Sequence, residues 1–122
     1  MREIKFRAWF EKFKEMYTVK MVDLQKEIAY FDKYNYRSFY DIELMQYTGL
    51  KDKNNKEIYE GDIITLHNSK YKVIFNTEGA RFVLRNDEFE LEIPFTNNNN
   101  KRMEVVGNIY ENPELLGDKN DF

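Results

Sequence analysis

Turn-forming residues cut this chain into short apolar runs, and no other feature constrains its fold as strongly. Polar stretches at residues 23–27, 49–57, 67–69, 76–79 and 96–100 are rich in Asp, Asn, Gly and Lys, with Glu, Gln, Ser and Thr among them. Asp and Asn side chains bond to nearby backbone and tolerate positive φ, so such clusters end regular structure. The runs between them are rich in β-branched and aromatic residues and are too short for stable helices. Even spacing of short runs is the mark of a small barrel or sandwich. The reading is therefore mainly β, α+β at most.

Several runs alternate at period two, the repeat of a pleated strand. Residues 4–9 place Ile4, Phe6 and Ala8 on one face and Lys5, Arg7 and Trp9 on the other. The charged residues 11–15 then separate this strand from Met16-Tyr17-Thr18-Val19, which predicts a hairpin, with a single helical turn as the other option for 11–15. Strands are expected at 19–22 and 28–31, and residues 32–40 read as a connection. Further strands are expected at 42–48, 63–66, 71–75 and 80–84. The alternation is cleanest at Glu88-Phe89-Glu90-Leu91-Glu92-Ile93. It predicts a strand there with Phe89, Leu91 and Ile93 inward, stopped by Pro94. A last strand at 103–106 precedes Gly107, a candidate bulge or close backbone approach. Asn112 before Pro113 predicts a short helical turn that docks Leu115 and Leu116.

The 122 residues favour one domain with its own core. A subdivision into N-terminal hairpins (1–43) and a barrel portion (44–122) is the alternative. No run approaches the roughly 18 apolar residues of a membrane span. No apolar segment follows Met1-Arg2-Glu3, so a cytoplasmic location without membrane association is expected. The chain has no cysteine, which removes disulfides and thiol catalysis from consideration. Its one histidine, His67, sits in a turn and leaves no Cys/His zinc site.

Sites for catalysis are sought and not found. The glycines are scattered, so there is no phosphate-cradling loop. The segment from Asp52 has Lys56, Glu57 and Ile63 where a calcium loop needs an oxygen ligand, Gly and Glu. Glu88, Glu90 and Glu92 read as a solvated face. No nucleophile elbow surrounds Ser38 or Ser69. We expect no catalytic residues, no metal and no cofactor.

Charge bears on nucleic acid. From Ile109 onward, Glu111, Glu114, Asp118 and Asp121 against Lys119 give the chain its whole net charge of −3. The rest is neutral, whereas a duplex binder ordinarily carries a basic excess. Two local basic groups remain, Lys51, Lys53 and Lys56 on one turn and Lys70 and Lys72 on one strand face.

Three segments together resemble a known family. They are Met1-Arg2-Glu3-Ile4-Lys5-Phe6-Arg7-Ala8-Trp9, the stretch from Leu44 through Tyr47-Thr48-Gly49-Leu50-Lys51-Asp52 to Tyr59-Glu60-Gly61-Asp62-Ile63-Ile64, and Glu104-Val105-Val106-Gly107-Asn108-Ile109-Tyr110-Glu111-Asn112-Pro113-Glu114-Leu115-Leu116. Their order resembles the YopX-like family of small proteins encoded by bacteriophages and prophages of Gram-positive bacteria. The chain departs from the family at Asn55, where Gly is frequent, and at Phe10 and Phe13, which interrupt a polar turn.

The resemblance implies a mainly β fold with a small SH3-like barrel around Glu60-Gly61-Asp62, and it brings no catalytic residues. With aromatic residues at 16% of the chain, rings are expected both in the core and at an interface. The resulting expectation is a non-catalytic phage accessory or regulatory protein. It would self-associate through aromatic or edge-strand surface and engage a host or phage protein. Trp9, Phe10, Phe13, Tyr47, Lys51, Lys53, Lys56 and Tyr59 are the candidate interaction residues. The alternative is a single-stranded nucleic-acid binder using Lys51, Lys53, Lys56, Tyr47 and Tyr59. A carboxylate or metal-dependent hydrolase stands third.

Overall fold

The computed structural model describes residues 3–96 and 100–117. Most of the asparagine loop (97–99) and the tail residues Asp118, Lys119 and Asp121, which enter the charge argument, lie outside the described residues. The chain divides into two compact units, Met1–Tyr47 and Thr48–Phe122. Strands dominate both, the described helical segments are short 3₁₀ turns, and no long helix is present among the described residues.

The first unit holds β1 (Phe6–Phe10), β2 (Glu15–Thr18), β3 (Met21–Asp23), β4 (Ile28–Tyr30), β5 (Tyr36–Ser38) and the start of β6 (Glu43–Lys51). β1 lies between β2 and β6, antiparallel to both. The expected hairpin closes through a turn at residues 11–14, not a helix. Phe13 and Lys14 donate their N–H groups to the carbonyls of Phe10 and Glu11, and Lys14 takes φ 54°. Ala8, Phe10, Ala29 and Ile42 form the core, packed by Tyr17, Val19, Phe31, Phe39 and Leu44. The Tyr17 and Phe31 rings stack with centroids 4.7 Å apart.

Two expectations change here. Residues 32–40 are not a plain connection, because β5 forms within them and pairs with β4. Asp32 makes this possible: its carboxylate accepts the N–H groups of Tyr34 and Asn35, closing a turn that returns the chain alongside β4. Ile4 is not inward. It precedes β1 and is exposed.

The second unit continues with β7 (Glu57–Tyr59), β8 (Asp62–Leu66), β9 (Ser69–Asn76), β10 (Arg81–Asn86), β11 (Leu91–Pro94) and β12 (Glu104–Asn108). Five of these form an antiparallel sheet in the order β11-β10-β9-β8-β12, curled into a half-barrel. Its concave core joins Ile58 of β7 to Ile64, Leu66, Tyr71, Val73, Leu84 and Met103. His67 and Asn68 both adopt positive φ between β8 and β9, the geometry of a two-residue hairpin turn matched to strand twist.

The strand expected from Glu88 starts three residues later. Asn86 accounts for the difference: its side-chain oxygen accepts the Phe89 N–H, and its amide donates to the Lys70 carbonyl. That holds residues 87–90 as a turn, with Glu90 at φ 51°. Phe89 and Leu91 are consequently exposed, and of the expected inward trio only Ile93 packs on the core.

Gly107 marks the expected bulge, and the close approach to it comes from a side chain and not from backbone. The β8–β12 register slips between Val105 and Gly107. A Cβ on Gly107 would stand 2.5 Å from the Asn112 side-chain oxygen, which accepts the Asn108 N–H. Pro113–Leu116 follows as a 3₁₀ turn, with Leu115 and Leu116 half-buried. We expect Gly107→Ala to cost about 1–3 kcal/mol, because the added methyl displaces a hydrogen-bonded side chain. Urea unfolding at neutral pH checks this. An unchanged midpoint would mean that Asn112 moves aside freely.

Candidate interaction surface

The long middle motif is a set of backbone locks. Asp52 is buried. One of its carboxylate oxygens accepts the N–H groups of Asn54 and Lys56 at 2.8 and 2.9 Å, and the other accepts the Val105 N–H at 2.9 Å. The Lys53 N–H donates to the Met103 carbonyl. The β6–β7 loop is thereby fastened to β12 and the residue before it. Burial pushes the Asp52 carboxyl up, but the three N–H bonds outweigh this and leave it below its ordinary value. Asn55 sits at φ 67° in this loop, a conformation open to Asn as well as Gly.

Gly61 and Asp62 lock the next corner. The Asp62 carboxylate, also buried, accepts the Tyr59 N–H at 2.8 Å. Gly61 has φ 88°, donates to the Val73 carbonyl and accepts from Ile109. Asn108 caps the following turn by accepting the N–H groups of Tyr110 and Glu111. These buried polar side chains are engaged by backbone. Among the described residues, no group of three or more His, Asp or Glu side chains stands close enough to hold a metal ion.

The candidate residues are divided between the two units, and three of them are not on the surface. Trp9, Phe10 and Tyr47 are buried, which corrects the expectation that they are displayed. β1 is the middle strand of its three in the first unit, so Phe10 turns into the core. On the reverse face Trp9 and Tyr47 are covered as well. Phe13 is exposed, with its ring edge-on to Phe10 at 4.9 Å. In the second unit Lys51, Lys53 and Lys56 are exposed and Tyr59 is half-buried. Lys53 lies 4.0 Å from Glu104, which also accepts from Asn54, so the basic turn is partly neutralised.

Two other displays were not anticipated. In the first unit, Met21, Tyr30 and Tyr36 lie opposite one another across β3, β4 and β5. Met21 and Tyr36 are exposed, as are Leu24, Tyr34 and Tyr40 nearby in sequence. In the second unit, a groove of about 770 Å³ runs between the Pro113–Leu116 turn and the β10–β11 turn. Its lining includes Lys70, Lys72 and Arg85, but also Asp87, Glu88 and Glu114, so its formal charges balance. Phe89 stands over it, 69% exposed.

The groove's strongest electrostatics are internal. Asp87 accepts from Lys72 and from Arg85, each at 2.7 Å, and Arg85 also reaches Glu92 at 3.3 Å. Hydrogen bonds from Lys72 and then Arg85 hold the Asp87 carboxyl down to about 2, against an ordinary 3.8. The groove draws on residues 68–72, 85–89 and 113–117, which no local motif connects. The sequence shows its parts separately, as the Lys70 and Lys72 pair, the Glu88-Phe89 run and the Leu115-Leu116 turn, but not their meeting.

A family model described as YopX protein matches residues 5–117. Among solved structures, the crystal structure of protein EF1440 from Enterococcus faecalis is similar, at 30% sequence identity and a TM-score of 0.74. The match covers 95% of this chain and 99% of that one. No curated protein matches. Among the described residues, no helix is long and apolar enough to cross a membrane.

Two tests address the locks and the ion cluster. Asp52→Ala strands three backbone N–H groups, and we expect a loss on the order of 3 kcal/mol in urea unfolding. For Asp87 the folded-state pKa is depressed. Its stabilisation is therefore complete above the ordinary 3.8 and disappears as pH falls towards about 2. Asp87→Asn should lower stability at neutral pH and flatten the acid limb across that interval. A variant with an unaltered pH profile would show that the cluster contributes nothing.

Proposed function

We propose that this chain, which belongs to the YopX family, acts by binding and not by catalysis, as a phage accessory or regulatory protein that self-associates and engages a protein partner. The observation that carries the reading is the display of large apolar side chains. Tyr34, Tyr40 and Phe89 are 79%, 87% and 69% exposed, and Met21, Leu24 and Tyr36 join them in the first unit. Single exposed apolar residues are ordinary, but several within one short stretch mark an interaction site. The deployment of Asp52 and Asp62 on backbone N–H groups supports the same reading, since it gives those buried acids a structural task.

A nucleic-acid role draws its support from Lys51, Lys53 and Lys56, exposed at the end of β6 and in the loop that leads to β7 and Tyr59. Against it stand Glu104 beside Lys53 and the balanced charge of the groove.

Light scattering over a range of concentrations, together with affinity purification from lysogenic cells, tests the principal reading. The expected result is a mass above that of the monomer and a reproducible protein partner. A strict monomer that recovers no protein would sink it. Labelled single-stranded oligonucleotides at low salt, where phosphate attraction is strongest, test the other. Tight binding lost in Lys51→Glu and Lys56→Glu would put nucleic acid first.

A further inference from the structure

We propose that the groove beside the Pro113–Leu116 turn receives a basic, apolar segment of a partner protein. The proposal rests on the binding role above and adds the chemistry of what is bound. Three observations choose that chemistry. First, Phe89 and the half-buried Leu115 and Leu116 offer apolar surface where a side chain can leave water.

Second, the groove's cations are already engaged. Lys72 and Arg85 both bond Asp87 at 2.7 Å, so an incoming anion would have to compete with a carboxylate held in place. Lys70 is the exception, exposed and without an ion-pair partner among the described residues.

Third, the groove's unengaged carboxylates outnumber that cation. Glu88 comes from the β10–β11 turn and Glu114 from the 3₁₀ turn, and both are exposed with no ion pair among the described residues. Glu111 adds negative charge just before the 3₁₀ turn. The free charge around the groove is thus acidic although its formal sum is zero. A segment alternating Lys or Arg with apolar residues satisfies the carboxylates and covers Phe89. A phosphate backbone or an acidic peptide would face Glu88 and Glu114 uncompensated.

The test uses the full-length chain and labelled peptides of alternating Lys and Leu, alternating Glu and Leu, and alternating Lys and Ser. Binding is read by fluorescence anisotropy and located by backbone amide NMR shifts. The expected outcome is that the Lys/Leu peptide binds tightest, with shifts centred on Glu88, Phe89 and Glu114. Phe89→Ser should weaken it about tenfold, a change of about 1.4 kcal/mol. Glu88→Lys with Glu114→Lys should weaken it at low salt, less so at high salt, and turn the preference to the Glu/Leu peptide. All three substitutions fall on exposed side chains, so the fold is retained.

Equal binding of the Glu/Leu peptide by the unaltered chain overturns the proposal. So do shifts located elsewhere, shifts at the groove that depend only on protein concentration, or variants that bind as the parent does. A partner recovered from cells whose contacts avoid the groove overturns this assignment while leaving the broader binding role intact.

Discussion

The Asp52 carboxylate is the interaction on which the second unit depends. It sits in a loop that would otherwise be a solvated turn, and it brings that loop's backbone and that of β12 to one anion. A buried carboxylate without partners would neutralise itself or open the fold. Here the N–H groups that satisfy it belong to Asn54, Lys56 and Val105, so the charge remains and the geometry is fixed. The same economy recurs at Asp62, Asn86, Asn108 and Asn112, each spending side-chain oxygens on main-chain donors. The half-barrel is thus held at its corners by short polar side chains and in its middle by Ile58, Ile64, Val73 and Leu84.

This arrangement gives a long, specific motif a structural role. Residues 52–62 and 103–112 meet through hydrogen bonds that link Asp52 to Val105, Lys53 to Met103 and Gly61 to Ile109. Their residue types are demanded by turn geometry and hydrogen-bond satisfaction. The exposed apolar side chains lie elsewhere, among them Phe89 on the β10–β11 turn and Met21 and Tyr36 on the small β3-β4-β5 sheet.

Much of the fold was legible in the sequence because turn chemistry is local. Asn76, His67-Asn68 and Gly107 each sit where their residue type requires, and the strands between them follow. The misreadings share a cause. Glu88–Ile93 has a faultless alternation, yet Asn86 captures the Phe89 N–H and converts its first half to a turn. Residues 32–40 looked too polar for a strand, but Asp32 supplies the turn that lets Tyr36–Ser38 pair. Periodicity cannot register a side chain that outcompetes the ladder for a backbone donor. The groove was illegible for another reason. It joins three distant segments, and its character depends on Lys72 and Arg85 meeting Asp87, which only the folded register supplies. Trp9 and Tyr47 look like display residues in the sequence because their strand face also carries Lys5 and Arg7.

The five-stranded sheet ends in β11 on one side and β12 on the other. β11 carries Pro94, which has no amide hydrogen to offer a newcomer, and β12 has already given its Val105 N–H to Asp52. An exposed ladder normally acts as a template on which further chains polymerise. Each margin of this sheet thus lacks one of the main-chain donors that a further strand would need, which makes it a poorer template for edge-to-edge extension.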